Sequence, residues 1–334
     1  MSFPRPLSLR YNWAVPNRIP MIRLIFSLFF LGVSACATGS VDTSPGDTSG
    51  HTNTGECSVF PADNPWNKDI SSADVHLKST DFINSIGAGV SLHPDFGTTY
   101  EGVPNGFRYA VVPEDQPLIP ITFEYADESD PGPYPIPADP PIEASANGGG
   151  DRHLLIIQQG VCKLFEVFAA YMDDQGWHGG SGAVFDLRSN QLRPTGWTSA
   201  DAAGLPIFPG LVRYEEVEAG EIRHALRITV PQSQKAFIYP ATHYASTSTL
   251  ETLPPMGLRV RLKSLVDLSV FPQRVQVILR ALQKYGAFVA DNGSAWYLSG
   301  VHNPSWDDDE LRKLSSIVGG DFEAVETGEI HTSY

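Results

Sequence analysis

Charged side chains standing inside apolar runs are the first residues of this chain that could do chemistry. Glu166 interrupts the run LFEVF, Asp186 interrupts AVFDL, and Asp201 falls in the turn-prone segment GWTSADAAG. Charge in such surroundings costs free energy unless it is paired or used. Two carboxyl groups facing one cleft are the apparatus of glycoside hydrolysis, one donating a proton and the other acting as base or nucleophile. The sequence does not say which two would face each other. Arg152, Arg188, Arg193 and Arg227 are also on hand as purely structural partners.

Histidines offer a second chemistry. His153 and His224 sit at the starts of strand-like runs, and His243 lies in YPATHY beside Tyr244. Converging with Tyr244 and an arginine, they could abstract the proton beside a uronate carboxylate, which is polysaccharide lyase chemistry. The catalytic candidates are therefore Glu166, Asp186, Asp201, His153, His224 and His243. For substrate binding, Trp177, Trp197 and Tyr244 could stack on sugar rings while Arg152 and Arg227 bond to their substituents. A metal held by the three histidines and Asp151 finds no close-spaced ligand pair, so neither metal nor cofactor is expected. CxxC pairs, HExxH, GxSxG and glycine-rich phosphate loops are absent from the sequence.

The elements that must position these residues are short. The chain has 334 residues, 42% of them hydrophobic, with 30 Gly and 27 Pro; this favours brief elements joined by turns. Strands are predicted over 107–112, 118–125, 152–158, 162–171, 181–187, 224–230, 236–239, 258–262, 287–290 and 296–298, with 152–158 and 162–171 forming a hairpin around Gln159 and Gly160. Helices are predicted over 79–86 and 272–285, the second with Val275, Ile278, Leu279 and Leu282 on one face. A last helix over 307–318 opens with an acidic run that suits the helix dipole, which accounts for that cluster without metal. Residues 125–142 carry too many prolines for regular structure and suit either the wall of a groove or a plain surface loop. Trp66, in a turn-rich stretch, is expected at the domain edge. The sum is one mainly β domain over 57–334, of sandwich or jelly-roll type, with peripheral helices mostly near the C-terminus.

Partners and compartment follow from charge and from the N-terminus. The formal net charge is −15, a balance that repels nucleic acid and anionic lipid. Residues 21–36 pair a short positive region with an apolar core too short to span a bilayer. Val33-Ser34-Ala35-Cys36 resembles the lipobox of bacterial lipoproteins, which implies export and lipidation of Cys36; residues 1–20 add no hydrophobic core, so the true start is expected at Met21. Residues 37–56 are rich in Thr, Ser, Gly and Asp and read as a disordered tether. In an oxidising compartment the two remaining cysteines, Cys57 and Cys162, are expected to pair. The stretches GWTSADAAGLP and YGAFVADNGSAWYLSG resemble a group of exported bacterial proteins of no established activity, over roughly residues 60–325; the resemblance implies one exported domain and supplies no catalytic residues.

The resulting expectation is a monomeric cell-envelope lipoprotein, or a secreted protein, that meets the membrane only through its lipid and acts on a polysaccharide or oligosaccharide as a glycoside hydrolase. A non-catalytic glycan-binding or envelope-structural role is the alternative, and a lyase the second alternative.

Overall fold

Apolar runs cut by Gly, Pro and Asx turns become short strands, and only two stretches with helical spacing exceed seven residues as helix. The computed structural model describes residues 57–143 and 150–334. Helix α1 (Ser79–Ile86) precedes β1 (His93–Asp95), the small pair β2 (Thr99–Tyr100) and β3 (Val103–Pro104), then β4 (Tyr109–Val112) and β5 (Ile121–Phe123). Next come β6 (Leu154–Gln158), β7 (Lys163–Phe168), β8 (Tyr171–Asp173), β9 (Gly176–Gly179) and β10 (Ser181–Asp186). The remainder runs α2 (Tyr214–Ala219), β11 (Leu226–Val230), β12 (Arg259–Leu262), α3 (Gln273–Lys284), β13 (Ala287–Asn292), β14 (Tyr297–Ser299), α4 (Asp308–Leu311) and β15 (Phe322–Val325). The mainly β class with few short helices holds.

Two larger sheets organise these strands. One is six-stranded, in the order β1-β14-β11-β13-β12-β15, and the other is four-stranded, β10-β7-β6-β4. Both are mixed: β11 lies parallel to β13 and antiparallel to β14, while β4 lies parallel to β6. The hairpin of β6 and β7 sets Leu155 opposite Glu166, with Gly160 at positive φ in its turn. The smaller sheet β5-β9-β8 packs its inner side on a second core with Tyr134 and Ile136. The proline-rich segment thus contributes buried side chains as well as surface.

Strand alternation gives the six-stranded sheet two unlike faces. Leu226, Ile228, Val260, Leu262, Val289 and Leu298 are buried and share one core with Val275, Ile278, Leu279 and Leu282 of α3, which packs against β12. The alternate residues on the opposite face include Arg227, Ser299, Arg259 and Phe288. Trp66 covers that face: it is 2% exposed and meets Phe288 edge-on at 4.7 Å, so it belongs to the core and not to the domain edge. Arg259 lies over the same Phe288 ring at 4.1 Å and donates to the carbonyls of Pro65 and Tyr285; burial draws its pKa down to about 9.

Elsewhere the expectation shifts in detail. Residues 236–239 make isolated bridges through Phe237 in place of a strand, and the last helix is one α-turn, α4, continued by the 3₁₀ segment Arg312–Ser316. Asp307 caps it, accepting the N–H groups of Asp309 and Glu310. Cys57 and Cys162 form the expected disulfide, Cα to Cα 5.4 Å. No helix among the described residues is long and apolar enough to cross a membrane. The signal segment, Met21, Cys36 and the 37–56 tether lie outside the described residues.

Candidate functional site

The polar face of the six-stranded sheet gathers the site across adjacent strands. Register sets Asp95 of β1 opposite Ser299 of β14, and Ser299 Oγ accepts from Arg227 Nη1 of β11 at 2.7 Å. Arg227 also grips Asp201 through both carboxylate oxygens, Nη2 to Oδ1 at 2.9 Å and Nε to Oδ2 at 3.2 Å. Phe107 lies 5.4 Å from the guanidinium. Asp201 reaches this position from a loop that Ser199 closes, its hydroxyl accepting the Asp201 N–H and donating to the Leu205 carbonyl. Burial lifts the Asp201 carboxyl against the pull of Arg227.

Asp291 joins the same face because of a bulge. Along the parallel pair β11–β13, Arg227 faces Phe288 and Ile228 faces Val289, but Thr229 faces Asp291. Ala290 is the extra residue. Strict alternation would send Asp291 to the side under α3; the bulge returns it to the side of Arg227. Burial and the charge of Asp201 push its carboxyl up to about 7, with Arg227 opposing.

Glu166 approaches from the four-stranded sheet. It is fully buried, and among the described residues no cationic side chain bonds it. Its oxygens accept the backbone N–H of Ile207 at 2.9 Å and of Phe208 at 2.9 Å. Burial pushes it up to about 7 against those two donors, and Asp201 adds to the rise.

His153, just before β6, joins two parts of the site. Its Nδ1 lies 2.6 Å from Glu143 Oε2 and its Nε2 lies 3.2 Å from the Ala200 carbonyl oxygen. A carboxylate and a carbonyl only accept, so both ring nitrogens donate and the ring is an imidazolium. Burial works against that charge, yet Glu143 holds the His153 pKa up. Reciprocally, burial raises Glu143 but the His153 bond outweighs it and leaves Glu143 below its usual range.

The result is two tiers. Glu166, Asp201, Arg227 and His153 are all 6% exposed or less, whereas Glu143 and Asp291 are half-buried and Asp95 is exposed. Although solvent reaches Asp95, desolvation by its neighbours raises its carboxyl, with His93 opposing and Glu143 adding. The rings of His93 and Tyr297 stack at 4.1 Å along the same rim. An inner ion-paired tier beneath three outer carboxyl groups of unlike proton affinity can run acid–base chemistry. Among the described residues no group of three or more His, Cys, Asp or Glu could hold a metal ion.

The structure therefore brings together Glu166, Asp201, His153 and Arg227 and leaves the other candidates apart. Asp186 is exposed at the end of β10, where it accepts the Arg188 N–H. His224 belongs to a separate buried cluster, its Nε2 2.6 Å from Arg213 Nη2 and 3.0 Å from Glu216 Oε2. There burial raises Glu216, but Arg213 and His224 hold it at about 2. His243 gives its Nδ1 to the Ala202 carbonyl, behind the Asp201 loop. Arg152 turns its Nε to the Ala170 carbonyl, and Trp177 packs on the second core. Trp197 stacks under Arg193, 5.6 Å away. Tyr244 lies against Tyr334 at 4.3 Å and 6°, with Lys235 Nζ 5.6 Å from its ring centre. These rings are occupied by protein groups and offer little open face to a sugar.

In sequence 92–97 reads as a loop in which His93 and Asp95 serve a turn rather than a site, so sequence reasoning set Asp95 aside, and it missed Glu143 and Asp291. Asp291 carried a signal of its own, an acid ending a fully apolar strand, but the following Asn-Gly read as a turn and absorbed it. Comparison of the chain with protein-family models, curated proteins and solved structures finds no match.

Proposed function

We propose that this chain is an exported carbohydrate-active hydrolase in which Asp291 is the proton donor and Glu143 the ionised base or nucleophile. What supports the reading is that two half-buried carboxyl groups each feel the charges of Arg227 and His153, with Asp291 lifted to about 7 and Glu143 held down by His153. An acid that keeps its proton near neutrality beside a carboxylate that has lost it is the division of labour that glycoside hydrolysis needs. Glu166 and Asp201 act as supports, since one is spent on backbone N–H groups and the other on Arg227. The disulfide and the lipobox-like segment support export and a lipid anchor at Cys36.

A lyase is the weaker reading. It needs a cation free to neutralise a uronate carboxylate, and Arg227 and His153 are both committed to internal carboxylates. To test the hydrolase, a panel of oligosaccharides is incubated with the wild type and new reducing ends are measured. Asp291→Asn and Glu143→Gln are expected to lose at least 100-fold in rate, while Asp186→Asn keeps it. A wild type inactive on the whole panel, or both site variants at wild-type rates, would overturn the reading.

A further inference from the structure

We propose that the solvent-facing side of the sheet β5-β9-β8 carries an acyl-transfer site for small uncharged carboxylic esters. Thr122 is its nucleophile, His178 the base, and Asp173 the group that orients the base. The proposal is independent of the hydrolase reading and uses none of its residues. Alternation turns Ile121, Phe123 and Trp177 inward onto the second core and leaves Thr122 and His178 on the outer face. Register then lines them up. Thr122 of β5 stands opposite His178 of β9, and Tyr171 of β8 stands opposite the same histidine from the other side. Thr122 Oγ1 lies 2.8 Å from His178 Nδ1, and His178 Nε2 lies 3.0 Å from Asp173 Oδ1. The Tyr171 ring stacks on the imidazole at 4.9 Å and 17°, which fixes its plane.

A carboxylate only accepts, so His178 Nε2 carries the proton, and in the neutral ring Nδ1 is the lone pair that takes the Thr122 O–H. The Gln175 N–H, 2.8 Å from Asp173 Oδ1, holds that carboxyl below its usual range, with His178 adding to the fall. A hydroxyl bonded to a base that a third group orients is the arrangement of an activated nucleophile. Thr122 Oγ attacks the acyl carbon and its proton passes to Nδ1; the adduct expels the alkoxide, which leaves with that proton as the alcohol. Water then attacks the acyl-threonine and gives a proton to Nδ1, and Thr122 recovers that proton as the acid departs. One ester and one water become one acid and one alcohol. The net charge of −15 favours an uncharged ester over a phosphate ester, and the open face, where Tyr171 is 47% exposed, admits a small acyl group.

Incubating the wild-type protein with p-nitrophenyl acetate at pH 7.5 tests this through two readouts: the release of nitrophenolate, and the position of the acetyl group by peptide mapping after an acid quench. The acetyl is expected on Thr122, and His178→Gln should slow its appearance roughly 100-fold. Asp173→Asn, which keeps the shape and removes the charge, should slow it several-fold. Thr122→Val should lose the initial burst of nitrophenolate, while Thr122→Ser keeps it and carries the acetyl on the serine. Because the row faces solvent, all four variants should unfold at the wild-type urea midpoint, so a lost burst reports chemistry. A quenched wild type with acetyl on lysines and none on Thr122 overturns the proposal. So does nitrophenolate release at the wild-type rate in Thr122→Val or His178→Gln.

Discussion

Asp291 and Glu166 share a value near 7 and the same leading cause, burial with Asp201 adding to it; their unlike access to solvent separates a proposed catalytic role from a role in stability. Asp291 is half-buried, so under the proposed hydrolysis its titration would appear in the rate. As the proposed proton donor it would act while protonated, and the rate should fall as pH rises through about 7. The acid limb belongs to Glu143 and lies below the usual carboxylate range. A rate profile with no alkaline limb near 7 would remove Asp291 from the donor role. Glu166 is sealed, so its titration appears in the fold. Its folded carboxyl keeps the proton to about 7, whereas the unfolded one releases it near its ordinary value of 4.5. Its contribution is therefore fully present below pH 4.5 and is lost as pH rises to 7, on the order of 3 kcal/mol. In urea unfolding, Glu166→Gln should lack that decline. Glu166→Ala, which strands the Ile207 and Phe208 N–H groups, should cost about 2–5 kcal/mol throughout. Charge inside apolar runs made Glu166, Asp201, His153 and Arg227 legible in the sequence. The partner each one takes, across 41 residues for Glu166 and Ile207 or 26 for Asp201 and Arg227, was not.

At the level of elements, period decided what could be read. The 79–86 helix and the α3 face were visible because apolar residues recur every three or four positions, and all four marked residues of α3 are buried. Leu279→Ala should accordingly cost about 2–5 kcal/mol in urea unfolding; a loss under 1 kcal/mol would mean that the helix does not seal that face. Strand β1 was read as a loop because three residues around Pro94 show no alternation, and its pairing is with a strand two hundred residues later. The bulge at Ala290 left no periodic trace either. A one-residue offset only has meaning against a partner strand, and that partner, β11, lies some sixty residues earlier.

For the molecule as a whole, the cross-link is the feature with the widest reach. Cys57 and Cys162 are 105 residues apart, a span for which loop closure in the unfolded chain is worth about 4–5 kcal/mol. Replacing both by Ser should lower unfolding stability by that order, and a change below 1 kcal/mol would show that the unfolded chain gains little freedom from losing the bridge. Both ends of the bridge, one at the start of the domain and one beside the β6–β7 turn, were legible once export was read from residues 21–36. The arc it encloses holds α1, β1 through β6 and the proline-rich stretch. A protease that nicks this arc once liberates nothing, because each side of the cut stays tethered through sulfur. Such a molecule migrates as one band until a thiol is added and then as two, so a single cut can go unnoticed by size alone while Asp95, on the severed arc, still sits opposite Ser299.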